Sequence, residues 1–178
     1  MSFRLLGSRA VGRGRLMRYE RMHLRTPGGG VIARDVVRHP GGVAVLPVFD
    51  DGRVLLVRQY RSAVDRPVYE VPAGVLESDD FDHETAVRRE LEEEAGLRAD
   101  RLTLLAVVHT SPGYTDEALR VFAAEGIVRV PRRPDGAEEH EAELVEMRLE
   151  EALAAVDAGE ITDAKTQVAL LAWDRRKA

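Results

Sequence analysis

The chain contains no cysteine. Disulfides, thiolate metal sites and a cysteine nucleophile are therefore excluded, and a reducing compartment is compatible. No run reaches the ~18 apolar residues of a membrane-spanning helix, so no membrane partner is expected. Met1 to Arg18 carries arginines without a continuous apolar stretch, so no secretory signal is expected and the cytoplasm is the expected location. Repeats and low-complexity tracts are absent. An excess of positive charge is also missing. The net charge is −5, which argues against nucleic acid as a partner, because duplex binding draws on many Lys and Arg meeting phosphates. A small phosphorylated substrate needs only a few local arginines and stays open.

What is present is a chain of 178 residues, 44% hydrophobic and 32% charged. That length and balance fit one domain with its own core, plus a small appendage. The first forty residues read as irregular. Thr26-Pro27-Gly28-Gly29-Gly30 marks a turn between two extended pieces, Tyr19–Leu24 and Val31–Val37. Gly42–Phe49 is an apolar run suited to a buried strand. Asp50-Asp51-Gly52 has hairpin-turn chemistry, so Arg53–Tyr60 is expected to return antiparallel to it. Tyr69–Gly74 reads as a short strand ending in Pro and Gly. After the loop Glu77–Phe81, Asp82 is a candidate N-cap, Ala86, Val87, Leu91 and Ala95 form an apolar stripe, and Gly96 is placed as C-cap. Leu102–Val108, Ala118–Ala124 and Leu144–Leu149 read as further strands, Pro131–Glu141 as a loop, and Glu150–Ala158 and Ala164–Trp173 as helices separated by Gly159. Strands and helices mix without strict alternation. The expected class is α/β in the broad sense (α+β), a mixed sheet covered by helices.

The chemistry concentrates in Arg89-Glu90-Leu91-Glu92-Glu93-Glu94-Ala95-Gly96-Leu97. At about 100° per residue, Glu90, Glu93 and Glu94 fall within one arc of about 100° beside the Val87–Leu91–Ala95 stripe. Three carboxylates at the edge of a buried face repel one another and are poorly solvated unless a cation joins them. Mg²⁺, a hard ion that prefers carboxylate oxygen, suits that need. Taken alone, such a run is an ordinary solvated acidic face with Arg88 and Arg89 as ion-pair partners.

The surrounding pattern decides between the two. Ala73-Gly74 through Gly96-Leu97 resembles the Nudix box: a Gly, a Glu-rich loop, then Arg-Glu-Leu-x-Glu-Glu-x-Gly-Leu, matched here at every defined place of its second half. Its first half departs from the pattern. Gly74 to Arg89 is one residue longer than the usual spacing, and Phe81 stands where an early Glu belongs, with Asp80 and Asp82 as candidates to replace it. Arg58-Gln59-Tyr60-Arg61, Glu70-Val71-Pro72-Ala73-Gly74 with Glu77, Ser111-Pro112-Gly113-Tyr114-Thr115-Asp116-Glu117 and Gly159-Glu160-Ile161 resemble the ADP-ribose pyrophosphatase branch of that family. The likeness spans residues 34–173.

The resemblance implies a Nudix-type α/β/α sandwich over residues 41–178 and an N-terminal β-strand appendage over residues 1–40, exchanged between the subunits of a homodimer. It implies hydrolysis of ADP-ribose to AMP and ribose 5-phosphate with Mg²⁺, Mn²⁺ being the alternative metal. Glu90, Glu93 and Glu94 would hold the metal with the Ala73 carbonyl. Arg89 would orient the box carboxylates. Arg61, Glu77 and Ser111 would meet the substrate, and Arg34 and Asp35 would reach the partner's site. A Glu of the acidic loop, Glu138 or Glu139 with Glu141 behind, would orient or deprotonate the attacking water. The alternatives are another nucleoside diphosphate sugar, such as a GDP-sugar or a broad ADP-sugar range, and a Nudix-like sensor that binds without cutting. Sensors usually lose box carboxylates; all three helix glutamates are present here.

Overall fold

A computed structural model of the chain describes residues 2–77, 80 and 82–177. The chain folds as two compact units: Met1–Gly41 with His109–Ala118, and Gly42–Val108 with Leu119–Ala178.

The first unit is a three-stranded antiparallel sheet of β1 (Arg4–Arg13), β2 (Arg18–Arg25) and β3 (Val31–Arg38), in the order β1-β2-β3. The two expected extended pieces are β2 and β3, joined across the Pro-Gly turn. β1 corrects the reading of an irregular N-terminus. Its sequence has no alternation to read, it contains Gly7 and Gly12, and its pairing shifts register twice, between Leu5 and Gly7 and between Ala10 and Gly12. Every residue of β1 is exposed.

The second unit is built around β4 (Gly42–Pro47) and β5 (Arg53–Arg61). The turn between them forms as expected, with Gly52 at φ +84° and Phe49 N–H donating to the Arg53 carbonyl at 2.9 Å. The strands themselves do not pair as a ladder. Both edges of β4 are taken, by β7 (Ala73–Val75) antiparallel and by β9 (Ala118–Arg129) parallel, and only the bridge Val48–Val54 links the two runs. β5 lies instead between β10 (Glu143–Arg148) and β6 (Arg66–Glu70). The four-stranded sheet runs β7-β4-β9-β8, with β8 spanning Leu97–His109, and is therefore mixed.

Alternation along the strands places the core. Ala44, Leu46, Val54, Leu56, Val121 and Ala123 point to one cluster, which α3 (Leu149–Asp157) and α4 (Ala164–Lys177) complete with Ala152, Leu170 and Trp173. Val43, Val45, Leu55, Val57, Phe122 and Ala124 point to the other, completed by Ala86, Val87 and Leu91 from α1 (His83–Glu90) and the turn after it. Strands buried on both faces read as continuous apolar runs, and each Val or Leu so buried contributes about 1.5–3 kcal/mol. The result is a sheet layer between helices, an α/β/α sandwich. Pro131–Glu141 is not wholly loop: Ala137–His140 forms one helical turn, α2. Among the described residues, no helix is long and apolar enough to cross a membrane.

Candidate functional site

Asp82 caps α1 by accepting the Thr85 N–H at 2.8 Å. Ala86, Val87, Leu91 and Ala95 pull one side of the helix into the core, and Gly96 ends it in the left-handed conformation at φ +62°. The last turn differs from the expected α geometry. Leu91–Ala95 winds as a π-helix, a form often found as a single turn at functional sites. Glu90 and Glu94 are thereby both carried inward, to 6% and 5% exposure. Glu93 is left at the rim with a side chain 31% exposed.

The opposite wall is the β6–β7 link. The expected strand Tyr69–Gly74 is broken at Val71-Pro72, so Glu70 ends β6 and Ala73 starts β7. The Ala73 N–H donates to Glu94 Oε2 at 3.0 Å. A Cβ added at Gly74 would overlap the Glu90 carboxylate, so the missing side chain of Gly74 is the space in which Glu90 sits.

Arg89 ties this wall to the helix. Its Nη1 donates to Glu90 Oε1 at 2.7 Å and to Glu93 Oε2 at 3.0 Å. Its Nη2 donates to the Val75 carbonyl and to Asp80 Oδ2, each at 3.1 Å. Asp80, not Asp82, is thus the acid that meets Arg89, while Asp82 serves as the helix cap. Phe81, which occupies the place of the early box Glu, lies outside the described residues. Burial works against the Arg89 charge, yet Asp80, Glu90 and Glu93 hold its pKa above the ordinary arginine value.

The two inner carboxylates are short of positive charge. Burial pushes Glu90 up to about 7, against the pull of Arg89, with the Glu93 and Glu139 charges adding to the rise. Burial pushes Glu94 up to about 8; the Ala73 N–H opposes this, and the charges of Glu90 and Glu139 reinforce it. Among the described residues, no three His, Asp or Glu side chains stand together as a ready metal cage; Glu90 and Glu93 are both turned to Arg89. The donor chemistry nevertheless fits a divalent cation at Glu90 and Glu94: two nearly buried carboxylates, no His or thiolate, and a third acid at the rim.

A second ionic cluster lies on the other side of the Val71-Pro72 link. Arg61, at the end of β5, grips Glu70 through Nε at 2.6 Å and Nη2 at 2.7 Å. Lys165 Nζ, from the first turn of α4, donates to the same Glu70 Oε2 and to Asp163 Oδ1, the latter at 3.0 Å. Asp163 accepts the Thr166 N–H at 2.9 Å. The Thr166 hydroxyl donates to Asp163 at 2.7 Å and accepts the Val71 N–H at 2.8 Å. Burial alone would raise the Glu70 pKa, but Arg61 and Lys165 hold it below the usual carboxylate range. Sequence reasoning assigns Glu70 no role and does not single out Lys165, Asp163 or Thr166. The available signal is a Glu next to the apolar pair Val71-Pro72, within the expected strand Tyr69–Gly74.

In the acidic segment the structure separates the three glutamates. Glu139 is partly buried and its charge is felt by both Glu90 and Glu94, while its Oε2 accepts the Asp135 N–H at 2.8 Å. Glu138 and Glu141 are exposed. Glu77 is mostly exposed, 3.7 Å from Arg89 Nη1. Arg34, Asp35 and Ser111 belong to the first unit. There Asp35 is held by Arg21 at 2.7 and 3.0 Å, Arg34 donates to the Ala33 carbonyl at 2.8 Å, and the Ser111 carbonyl closes a turn by accepting the Tyr114 and Thr115 N–H groups.

Comparison with known proteins identifies the family. The chain is 42% identical over 144 residues to the ADP-ribose pyrophosphatase of Bacillus subtilis (strain 168), covering 81% of this chain and 77% of the relative. It is 36% identical over 171 residues to the ADP-ribose pyrophosphatase of Mycobacterium tuberculosis (strain ATCC 25618 / H37Rv), covering 96% and 82%. A GDP-mannose pyrophosphatase of Cronobacter sakazakii (strain ATCC BAA-894) is 35% identical over 77% of this chain and 75% of its own. Among solved structures, an ADP compounds hydrolase superposes with a TM-score of 0.85 over 98% of this chain and 94% of its own, at 22% identity, which speaks for the fold. Residues 38–170 match the NUDIX domain. The sandwich, the Gly74 slot with its Glu90 carboxylate and this match agree: the chain is a member of the NUDIX domain family.

Proposed function

We propose that the protein is a pyrophosphohydrolase that cuts the diphosphate of ADP-ribose, giving AMP and ribose 5-phosphate. The observation that carries the reading is the pair Glu90 and Glu94, buried beside Gly74 and Ala73 with too little positive charge of the protein's own to keep both ionised at neutral pH. Mg²⁺ is the metal we assign, with Mn²⁺ as a substitute; Glu90 and Glu94 would hold it, with Glu93 and the Ala73 carbonyl as further ligands, and it would neutralise the diphosphate and lower the pKa of the attacking water.

The remaining work falls to the chain's own residues. Arg61 meets the diphosphate or the adjoining sugar with the part of its guanidinium that Glu70 does not engage. Glu77, at the rim beside Arg89, contacts substrate or metal. Arg89 keeps Glu90 and Glu93 oriented. Glu139 orients the water and takes its proton as the water oxygen bonds to one phosphorus and the bridging P–O bond breaks. Ser111, Arg34 and Asp35, in the unit that holds the β1–β3 sheet, are assigned to the nucleoside end in a homodimer. Similarity to ADP-ribose pyrophosphatases at up to 42% identity, against 35% for the GDP-mannose enzyme, favours the adenine nucleotide.

The experiment is incubation of purified protein with ADP-ribose, with and without Mg²⁺, following AMP by chromatography alongside GDP-mannose. Metal-dependent AMP release at a kcat/KM above that for GDP-mannose is the expected result. Tight binding without release would replace the enzyme by a sensor, and preference for GDP-mannose would replace the substrate.

A further inference from the structure

Glu70, at the end of β6, meets one more cation than is needed to give each of its oxygens a donor. Arg61 already gives each oxygen of Glu70 a donor, at 2.6 and 2.7 Å. Lys165 then adds a second positive charge to Glu70, although the Lys165 side chain is only 13% exposed and its burial costs solvation. Lys165 is not loosely placed. Asp163 holds it at 3.0 Å, and Asp163 is itself fixed by the amide and hydroxyl of Thr166, whose hydroxyl also receives the Val71 N–H. Thr166 is fully buried. The start of α4 is thus pinned to the backbone one residue beyond Glu70.

This arrangement has a consequence for Arg61: Glu70 cannot turn away, because a second element holds it. A cavity of about 370 Å³ lined by Arg61, Arg66, Glu70, Asp163 and Lys165 adjoins the cluster, and Arg61, with 43% of its side chain exposed, is the member of the cluster that reaches solvent.

We propose that Lys165 is a positioning residue for the reaction: through Glu70 it fixes the guanidinium of Arg61 for the substrate. This rests on the reading that Arg61 binds the diphosphate sugar. Lys165 need not touch substrate, and its effect belongs to binding more than to the chemical step.

The test is a double-mutant cycle on the full chain with Mg²⁺ and the nucleotide sugar that the wild type turns over best. Lys165→Met should raise KM about five- to tenfold with kcat changed by less than about twofold, and Lys165→Arg should recover most of the loss. In the Arg61→Ala background, Lys165→Met should raise KM no further, because its route to the substrate is already gone. A full KM effect of Lys165→Met in that background overturns the proposal, as does an unchanged KM in the single variant. Should Lys165→Met fail to fold, Lys165→Ala, which also removes the donor to Glu70, gives the same reading. An Arg61→Ala variant with wild-type KM refutes instead the assignment of Arg61. If the wild type turns over no nucleotide sugar, the pyrophosphohydrolase reading has failed, and the same cycle read as ADP-ribose dissociation constants decides whether Lys165 acts through Arg61.

Discussion

Glu70 and Glu94 stand on opposite sides of the same short link, Val71 to Ala73, and are equally hidden, at 3% and 5% exposure. Their surroundings treat them in opposite ways. Glu70 is met by Arg61 and Lys165, and its pKa is lowered despite burial. Glu94 receives one backbone N–H and the repulsion of Glu90 and Glu139, and its pKa rises to about 8. A buried acid satisfied by the chain's own cations is an anchor. One left short of positive charge is a place prepared for a charge from outside.

That contrast is open to attack at several points. The largest effect is expected from Glu94→Gln, which should lose ~10³-fold in kcat with the fold retained; near-normal AMP release in this variant would remove the distinction between the two acids. Next, Glu139→Gln should cost ~10²-fold in kcat while Glu138→Gln and Glu141→Gln stay within about twofold, a ranking that steady-state assays of the three variants will read directly. Glu70→Gln should instead act on the fold. It leaves Arg61 and Lys165 facing a neutral partner and should destabilise by about 2–3 kcal/mol in denaturant unfolding, less than a fully buried pair because Arg61 is partly solvated.

The smallest effect expected, a few degrees in melting temperature, tests the opposite signs of the two pKa shifts. The raised values of Glu90 and Glu94 mean that their contribution to stability is complete below the ordinary carboxylate range and is lost as pH rises through about 7 and about 8. The lowered value of Glu70 means that its contribution is present above the ordinary range and is lost as pH falls through the folded value. Metal-free protein should therefore melt earlier at pH 8.5 than at pH 6, added Mg²⁺ should narrow that difference, and Glu94→Gln should reduce it. A metal-free melting curve independent of pH over this range would mean that Glu90 and Glu94 are compensated within the chain.

Much of the fold is legible in local chemistry. The cap at Asp82, the stop at Gly96 and the apolar stripe between them depend on neighbours in sequence, and they form where expected. The pairing of β4 and β5 departs from the expected hairpin because a turn reports only how two strands are connected, whereas strand choice is settled by β7 and β9 competing for both edges of β4. β1 is illegible for a related reason, since an exposed strand has no buried face to impose alternation. In the site, the box glutamates are legible as a spacing, but their inequality is not. The π turn at Leu91–Ala95 leaves two acids buried and one at the rim. Of the two candidates for the missing early Glu, Asp80 meets Arg89 and Asp82 caps the helix, a division that counting cannot supply. The Glu70–Lys165–Asp163 cluster joins residues almost a hundred positions apart, beyond the reach of any local motif.

Gly74 has a consequence for reading related chains. Its absent side chain is not slack in the strand, because the Glu90 carboxylate occupies the volume that a Cβ would claim. The acid borrows a slot belonging to another residue. A relative with so much as a methyl group at this one strand position must therefore move the first glutamate of its helix out of the slot. The seat of that acid is set on β7, by a residue with no functional group at all.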